Sequence, residues 1–305
     1  MGTGKFTLPA AIVLTALLWL PTGVDSVANW GGYLVVVLTT LMLRVIVNSQ
    51  TLIRVRSWFL SSLFCVFSGI FVFQHHFDLS MLGTLSFLIA QYFLFGSYQT
   101  DHPERAVFQS FLFLGVSSLF FPKMLCLTPF FFLAMIVQLR AFTPRSFLAA
   151  LMGLLVPLEV MAVYCFGVGN PETVHMYFSS LTQWTVPTGL PDWSPARMVS
   201  ICFVLLLFIV GTLHFSRTNF NDKIRVRMFF YILATQAVVF VLMLAFCPGD
   251  YTFLSRLMVL ESVPFVAHYF VLGKGWMVDL VFNITLILMV ALTAFNLWNP
   301  SSLSF

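Results

Sequence analysis

The stretch Arg256-Leu-Met-Val-Leu-Glu261-Ser-Val-Pro264-Phe-Val-Ala-His268-Tyr-Phe-Val-Leu272 is apolar enough to cross a bilayer, yet it carries an acid, a proline and a histidine. At about 100° per residue, Glu261, Pro264 and His268 fall on one helical face. Pro264 lacks an N–H and frees the Leu260 carbonyl near that face. A charge in hydrocarbon is costly unless it is paired or faces a wet cavity. The face is therefore expected to point into the protein, with the other helices arranged around it. This predicts a polyhelical membrane protein with a polar interior.

Composition agrees. Of 305 residues, 60% are apolar and 9% charged, and the mean hydropathy is +0.96. A soluble domain is about 25% charged. Residues 1–305 read as one integral membrane domain, with no room for a separate soluble one. No basic cluster with interleaved surface aromatics suggests nucleic-acid binding. The 36 phenylalanines suit lipid contact and packing between helices. Cys65, Cys126, Cys165, Cys202 and Cys247 lie in or at the ends of apolar runs, with no CxxC pair, so they read as packing residues.

Outward from the opening stretch, the fold reads as an all-α polytopic transmembrane bundle of about eleven spans. The first runs from Leu8 to Leu20 and ends at Pro21, which puts Thr22 to Gly32 in an outer loop. A signal peptide looks similar, but an uncleaved first helix is preferred because many spans follow. The later spans are separated by short polar turns. One is Gln74-His75-His76-Phe77-Asp78, and another is Asp101-His102-Pro103-Glu104, where Asp101 reads as a helix N-cap. The one long connection covers about 167–196, with Met176-Tyr177-Phe178 as a short surface helix. With the N-terminus inside and the C-terminus outside, 12 basic residues fall on the inner side and 3 on the outer, as the positive-inside rule requires.

This topology places Asp25, Asp78, Glu172, Asp192 and Asp250 on the outer side, and Glu159 and Glu261 in the outer halves of their spans. Pro157 precedes Glu159, so both acidic helices carry a nearby proline. A shared outward-opening cavity lined by Glu159, Glu261, Arg256 and His268 is one expectation. A buried polar clasp between two helices is the other. The candidate catalytic residues are Asp25, Glu159 and Glu261, and the candidate substrate-binding residues are Arg256, His268, His175 and Trp184. His75-His76-Phe77-Asp78 reads as an interfacial turn rather than a metal site, because adjacent histidines diverge and further ligands are not evident. The basic turn Arg217 to Arg227 reads as a contact for anionic headgroups. No phosphate loop, GxSxG or HExxH occurs, and neither a cofactor nor a metal is implied.

Five segments carry a resemblance: Asp101-His-Pro-Glu-Arg-Ala106, Phe113-Leu-Gly115-Val-Ser-Ser-Leu-Phe-Phe-Pro122, Pro144-Arg145-Ser-Phe-Leu, Gly153-Leu-Leu-Val-Pro157 and Glu261-Ser-Val-Pro264-Phe-Val-Ala-His268-Tyr-Phe. In these the chain resembles a multi-pass inner-membrane family of Bacteroidota that has no established activity. The resemblance implies an all-helical protein of the bacterial inner membrane and cell envelope. The chain is also similar, at the level of fold, to polyprenol-phosphate-dependent glycosyltransferases. Those enzymes use an acid of their first outer loop as the base that activates the acceptor, and Asp25 stands in that position; otherwise Asp25 is an ordinary loop acid. The expected function is cell-envelope biogenesis on a polyprenyl-linked glycan or lipid substrate at the outer face, with membrane lipids and a membrane-protein partner. The alternatives are a secondary transporter of a small solute and a non-catalytic subunit of an envelope assembly.

Overall fold

The computed structural model describes residues 6–55, 57–185 and 193–298. Among these residues there are twelve α-helices, four short 3-10 helices and no strand. In chain order the helices are α1 (Thr7–Asp25), α2 (Val27–Gln50), α3 (Phe59–Ile70), α4 (Ser80–Gly96), α5 (Glu104–Phe120), α6 (Thr128–Val137), α7 (Pro144–Gly167), α8 (Glu172–Ser180), α9 (Pro195–Thr218), α10 (Ile224–Phe246), α11 (Tyr251–Leu272) and α12 (Trp276–Trp298). A helix stands at each of the eleven stretches read as spans, and α8 is the surface helix expected in the long connection. Six helices, α2, α7, α9, α10, α11 and α12, are long and apolar enough to cross a membrane. The rest of the expected eleven do not meet that measure. About 20 residues are needed to span, whereas α3 has 12 and α6 has 10.

The chain groups into two compact units. The first takes Met1–Asp78, Pro187–Leu244 and Pro248–Phe305, and the second takes Leu79–Val186 and Ala245–Cys247. In the first unit α11 is the central element. Of its most apolar stretch 89% is buried, against 17% for α12. It packs on α9, α3 and α12, while α1, α2 and α3 pack on one another. At the α9–α11 crossing Gly211 lets the backbones meet, because a Cβ there would lie 2.7 Å from the Phe265 carbonyl. Phe208, Phe215 and Phe230 close edge-on around Phe265. Small residues at such crossings permit close approach where no hydrophobic force acts between helices.

In the second unit α5 packs between α4 and α7. Gly153 faces the Phe108 carbonyl and Gly115 faces Pro157, so the α5–α7 crossing is also backbone against backbone. The motif segments that contain Gly115, Gly153 and Pro157 are thus a helix crossing. Helix α7 begins with a reciprocal cap: Ser146 N–H donates to Thr143 Oγ1 at 3.0 Å, and Thr143 N–H donates to Ser146 Oγ at 2.7 Å. Pro144 sits in the first turn, where it costs no hydrogen bond.

Two local expectations are corrected. The first helix does not stop at Pro21 but continues to Asp25, and Ser26 alone separates it from α2. The expected outer loop from Thr22 to Gly32 is therefore absent. Side chains of both helices tie this junction to backbone carbonyls. Trp19 Nε1 donates to the Asn29 carbonyl at 2.9 Å, and Asn29 Nδ2 donates to the Thr22 carbonyl at 2.8 Å. The second correction concerns α5, which begins at Glu104 with Pro103, not Asp101, at its N-cap.

Candidate functional site

In the first unit the structure assembles a charged centre from three separate stretches. Helix α2 ends at Gln50, and Thr51 turns the chain in the left-handed region at φ 49° and ψ 47°. The segment that follows carries Arg54 and Ser57. Between α9 and α10 a 3-10 turn, Asn219–Asn221, delivers Asp222, whose N–H is held by the Asn219 carbonyl at 2.9 Å. Helix α11 supplies His268. Asp222 uses both carboxylate oxygens: Arg54 Nε is 3.1 Å from Oδ1, and His268 Nε2 is 3.0 Å from Oδ2. The side chains of Asp222 and His268 are each 1% exposed, while that of Arg54 is 44% exposed. A buried carboxylate needs such partners. Because the carboxylate accepts, His268 donates from Nε2.

His268 Nδ1 is buried without a hydrogen-bond partner, and so is His214 Nδ1 on α9. The two rings lie with centroids 5.5 Å apart. Phe215 and Phe230 pack edge-on against His268. The titratable ring is therefore buried, oriented from one side by a carboxylate, and unsatisfied on the other.

Arg54 also borders a cavity of about 420 Å³, lined by Val47, Asn48, Thr51, Ile53, Arg54, Ser57, Lys223 and Val226. Typical ligand pockets run from about 300 to 1,000 Å³. Among the described residues its polar wall offers two cations, two hydroxyls and an amide, and no carboxylate. That donor-rich chemistry suits an oxyanion.

At the other end of α11, Arg256 is buried and donates from Nη2 to the Gln74 carbonyl at 3.3 Å. Gln74 Nε2 donates to Ser255 Oγ at 3.0 Å, and Asp78 is the acid whose charge acts on Arg256. His75, in the same turn, is fully buried. It stacks on Trp19 with centroids 3.7 Å apart. Its Nε2 lies 3.0 Å from the Gly69 carbonyl and its Nδ1 3.0 Å from Thr22 Oγ1. Burial holds the His75 imidazole down at about 3, with its backbone hydrogen bonds opposing and the Arg256 charge adding. Neutral His75 donates to Gly69 and accepts from Thr22, so it is a structural clasp. Among the described residues no group of three or more His, Cys, Asp or Glu could hold a metal ion.

The sequence candidates are placed as follows. Glu261 is 0% exposed on α11, seven residues before His268 and so about 10 Å along the same face. Glu159 is exposed on α7, in the second unit. Neither unit by itself brings Glu159 and Glu261 together. His175 is exposed on α8. Trp184 is 39% exposed, donates to the Leu181 carbonyl at 2.6 Å and lies under the Lys123 ammonium at 5.8 Å. Asp25 is the last residue of α1, and its side chain lies outside the described residues, as do Pro187 to Asp192. Sequence reasoning passed over Asp222, Arg54 and His214. The signal was present: the expected topology puts His268 near the inner end of its span, and Asp222 is the one acid in the basic turn expected on that side.

No protein-family model, curated protein or solved structure matches the chain. The fold and site thus define a class on their own terms. It is an all-helical chain whose six long apolar helices fit a multi-pass membrane protein. It is distinguished by a basic cavity where α2 ends and α10 begins, backed by a buried Arg54–Asp222–His268 centre.

Proposed function

We propose that this protein binds a phosphate-bearing substrate, of the polyprenyl-linked or lipid type, in the cavity beside Arg54 and Lys223. One observation carries the reading: among the described residues the cavity lining presents cations, hydroxyls and an amide and no carboxylate, while Asp222 is engaged by Arg54 and His268. The eleven-span arrangement with an inner N-terminus supports the inner face as the working side, because Arg54 and Lys223 both count among the inner basic residues. The acids of the opposite face are then not needed for binding. The setting, a bacterial inner membrane and cell-envelope biogenesis, rests on the family resemblance.

The test is retention of a phosphate-bearing lipid through purification. Arg54→Ala and Lys223→Ala should each lower the bound amount several-fold, whereas Glu159→Ala should not. Equal retention by all three proteins would remove the cavity from the reading.

A proton-coupled transporter is the second reading. It is favoured by Glu261 and His268, which are both buried and two turns apart on α11 with Pro264 between them. Uptake into liposomes driven by a pH gradient would support it, and its absence together with lipid turnover would favour an enzyme.

A further inference from the structure

We infer that oxyanion binding in this cavity is coupled to the uptake of one proton at His268, through Arg54 and Asp222. The inference rests on the cavity reading above and deepens it. Among the described residues Arg54 is the group that both lines the cavity and holds Asp222. A guanidinium has a fixed set of donors, so an oxyanion that engages Nε must compete with Asp222 Oδ1 for it. The displaced Asp222 carries its charge in a site where its side chain is 1% exposed. An unpaired carboxylate there is strongly unfavourable. His268 already donates to Oδ2 at 3.0 Å, and its buried Nδ1 has a lone pair with no partner. A proton from solution added to that Nδ1 makes an imidazolium, whose Nε2–H stays on Asp222 and replaces the lost cation. The balance is one oxyanion and one proton bound, and nothing released.

The surroundings leave His268 as the acceptor. Asp222 faces it from the turn before α10 and Arg54 from the segment after α2, and both are already in the scheme. Helix α9 presents His214, with ring centroids 5.5 Å apart. Helix α10 presents Phe230. Helices α3 and α12 meet α11 here through Phe59 and Phe282 against Phe270. Among the described residues His214 is the other imidazole beside His268, with Tyr269 packed against it, and His214 makes no hydrogen bond to Asp222 that would let it replace Arg54.

The experiment uses the full chain in phosphatidylcholine nanodiscs. Sulfate is the soluble probe, because it does not titrate between pH 5.5 and 8. Calorimetry in buffers of different ionisation enthalpy counts the protons. The expected result is close to one proton taken up per sulfate, with affinity rising up to tenfold per pH unit on acidification. A parallel arm replaces sulfate with graded phosphatidylglycerol in the nanodisc. Proton uptake in that arm alone identifies a lipid headgroup as the source, and uptake with sulfate alone identifies a free oxyanion. Binding with no proton uptake overturns the coupling and leaves the cavity reading standing. No binding of either probe overturns both. His268→Gln should bind without proton uptake. Asp222→Asn, which releases Arg54 in advance, should bind more tightly and independently of pH. The wild-type proton count decides the matter even where a variant fails to fold.

Discussion

Gly211→Ala tests the central crossing of the first unit and, through it, the charged centre. An ideal Cβ at Gly211 lies 2.7 Å from both the carbonyl carbon and the carbonyl oxygen of Phe265, and 3.0 Å from its Cβ. Ordinary contact begins at 3.4 Å, so α9 and α11 must part by about 0.7 Å. Backbone cannot move aside as a side-chain tip can. A gap of that size forfeits roughly a quarter to a half of the dispersion energy of the atoms it separates. Overpacking of this kind costs about 1–3 kcal/mol, and the better helix propensity of alanine returns about 1 kcal/mol. The expected net loss is therefore about 1–2 kcal/mol. Because Phe215 and His214 ride on α9 and His268 on α11, the separation also loosens the packing around His268. The assay is reversible unfolding in mixed micelles, with Gly96→Ala as the control. Gly96 closes α4, and a Cβ there meets nothing within 4 Å. The control should be neutral or slightly stabilised. If Gly211→Ala is as stable as the control, the close crossing is not what holds α9 on α11.

Other perturbations have defined outcomes. Unfolded histidine takes a proton near pH 6.5 whereas buried His75 resists until about 3, so its contribution is fully present above pH 6.5 and lost as pH falls below it, at about 1.4 kcal/mol per unit. Melting temperature against pH should therefore slope less steeply below pH 6.5 in His75→Gln than in the wild type, and parallel curves would refute the buried neutral ring. Asp222→Ala leaves His268 and Arg54 without their acceptor and should cost roughly 3 kcal/mol, the low end for a buried pair because Arg54 is half exposed; a melting temperature within a degree of wild type would count against the ion pair. Thr51→Gly relieves a β-branched residue at φ 49° and should stabilise by about 1 kcal/mol in the same unfolding assay, so a loss would show that contacts of the Thr51 side chain outweigh its strain. In the second unit Tyr177→Phe removes a 2.8 Å hydrogen bond to Ser118 and should cost about 1 kcal/mol by denaturant titration, with no change disproving that the bond is made.

The helical class and the placing of helices were legible because apolar run length and proline positions are local signals. The central role of α11 was legible too, since an acid and a histidine in one apolar helix demand an interior. What stayed hidden was any property set by more than one segment. By sequence Pro21 puts Thr22 and Asn29 in a loop, yet Asn29 Nδ2 donates to the Thr22 carbonyl and Thr22 Oγ1 to His75 Nδ1, and α1 and α2 meet at Ser26. Asp222 was masked by its context, because a lone acid among four basic residues reads as surface decoration.

The buried arginine and histidine of α11 are met by turns of the first unit. Arg256 reaches Gln74, 182 residues away, and His268 reaches Asp222, 46 residues away. Gln74, His75 and Asp222 all lie between helices, and all are buried. A helix in hydrocarbon cannot supply a counter-charge from its lipid-facing neighbours without exposing that group as well. A turn can, because it ends at the depth where water is near and its side chains fold back over the helix ends. Arg256 and His268 accordingly sit toward the two ends of α11, within reach of turns, while Glu261 lies between them. That arrangement puts His268 within two bonds of a water-accessible cation, by way of Asp222 and Arg54. A buried histidine wired in that manner answers to whatever occupies the cavity, which a histidine sealed by phenylalanines alone could not do.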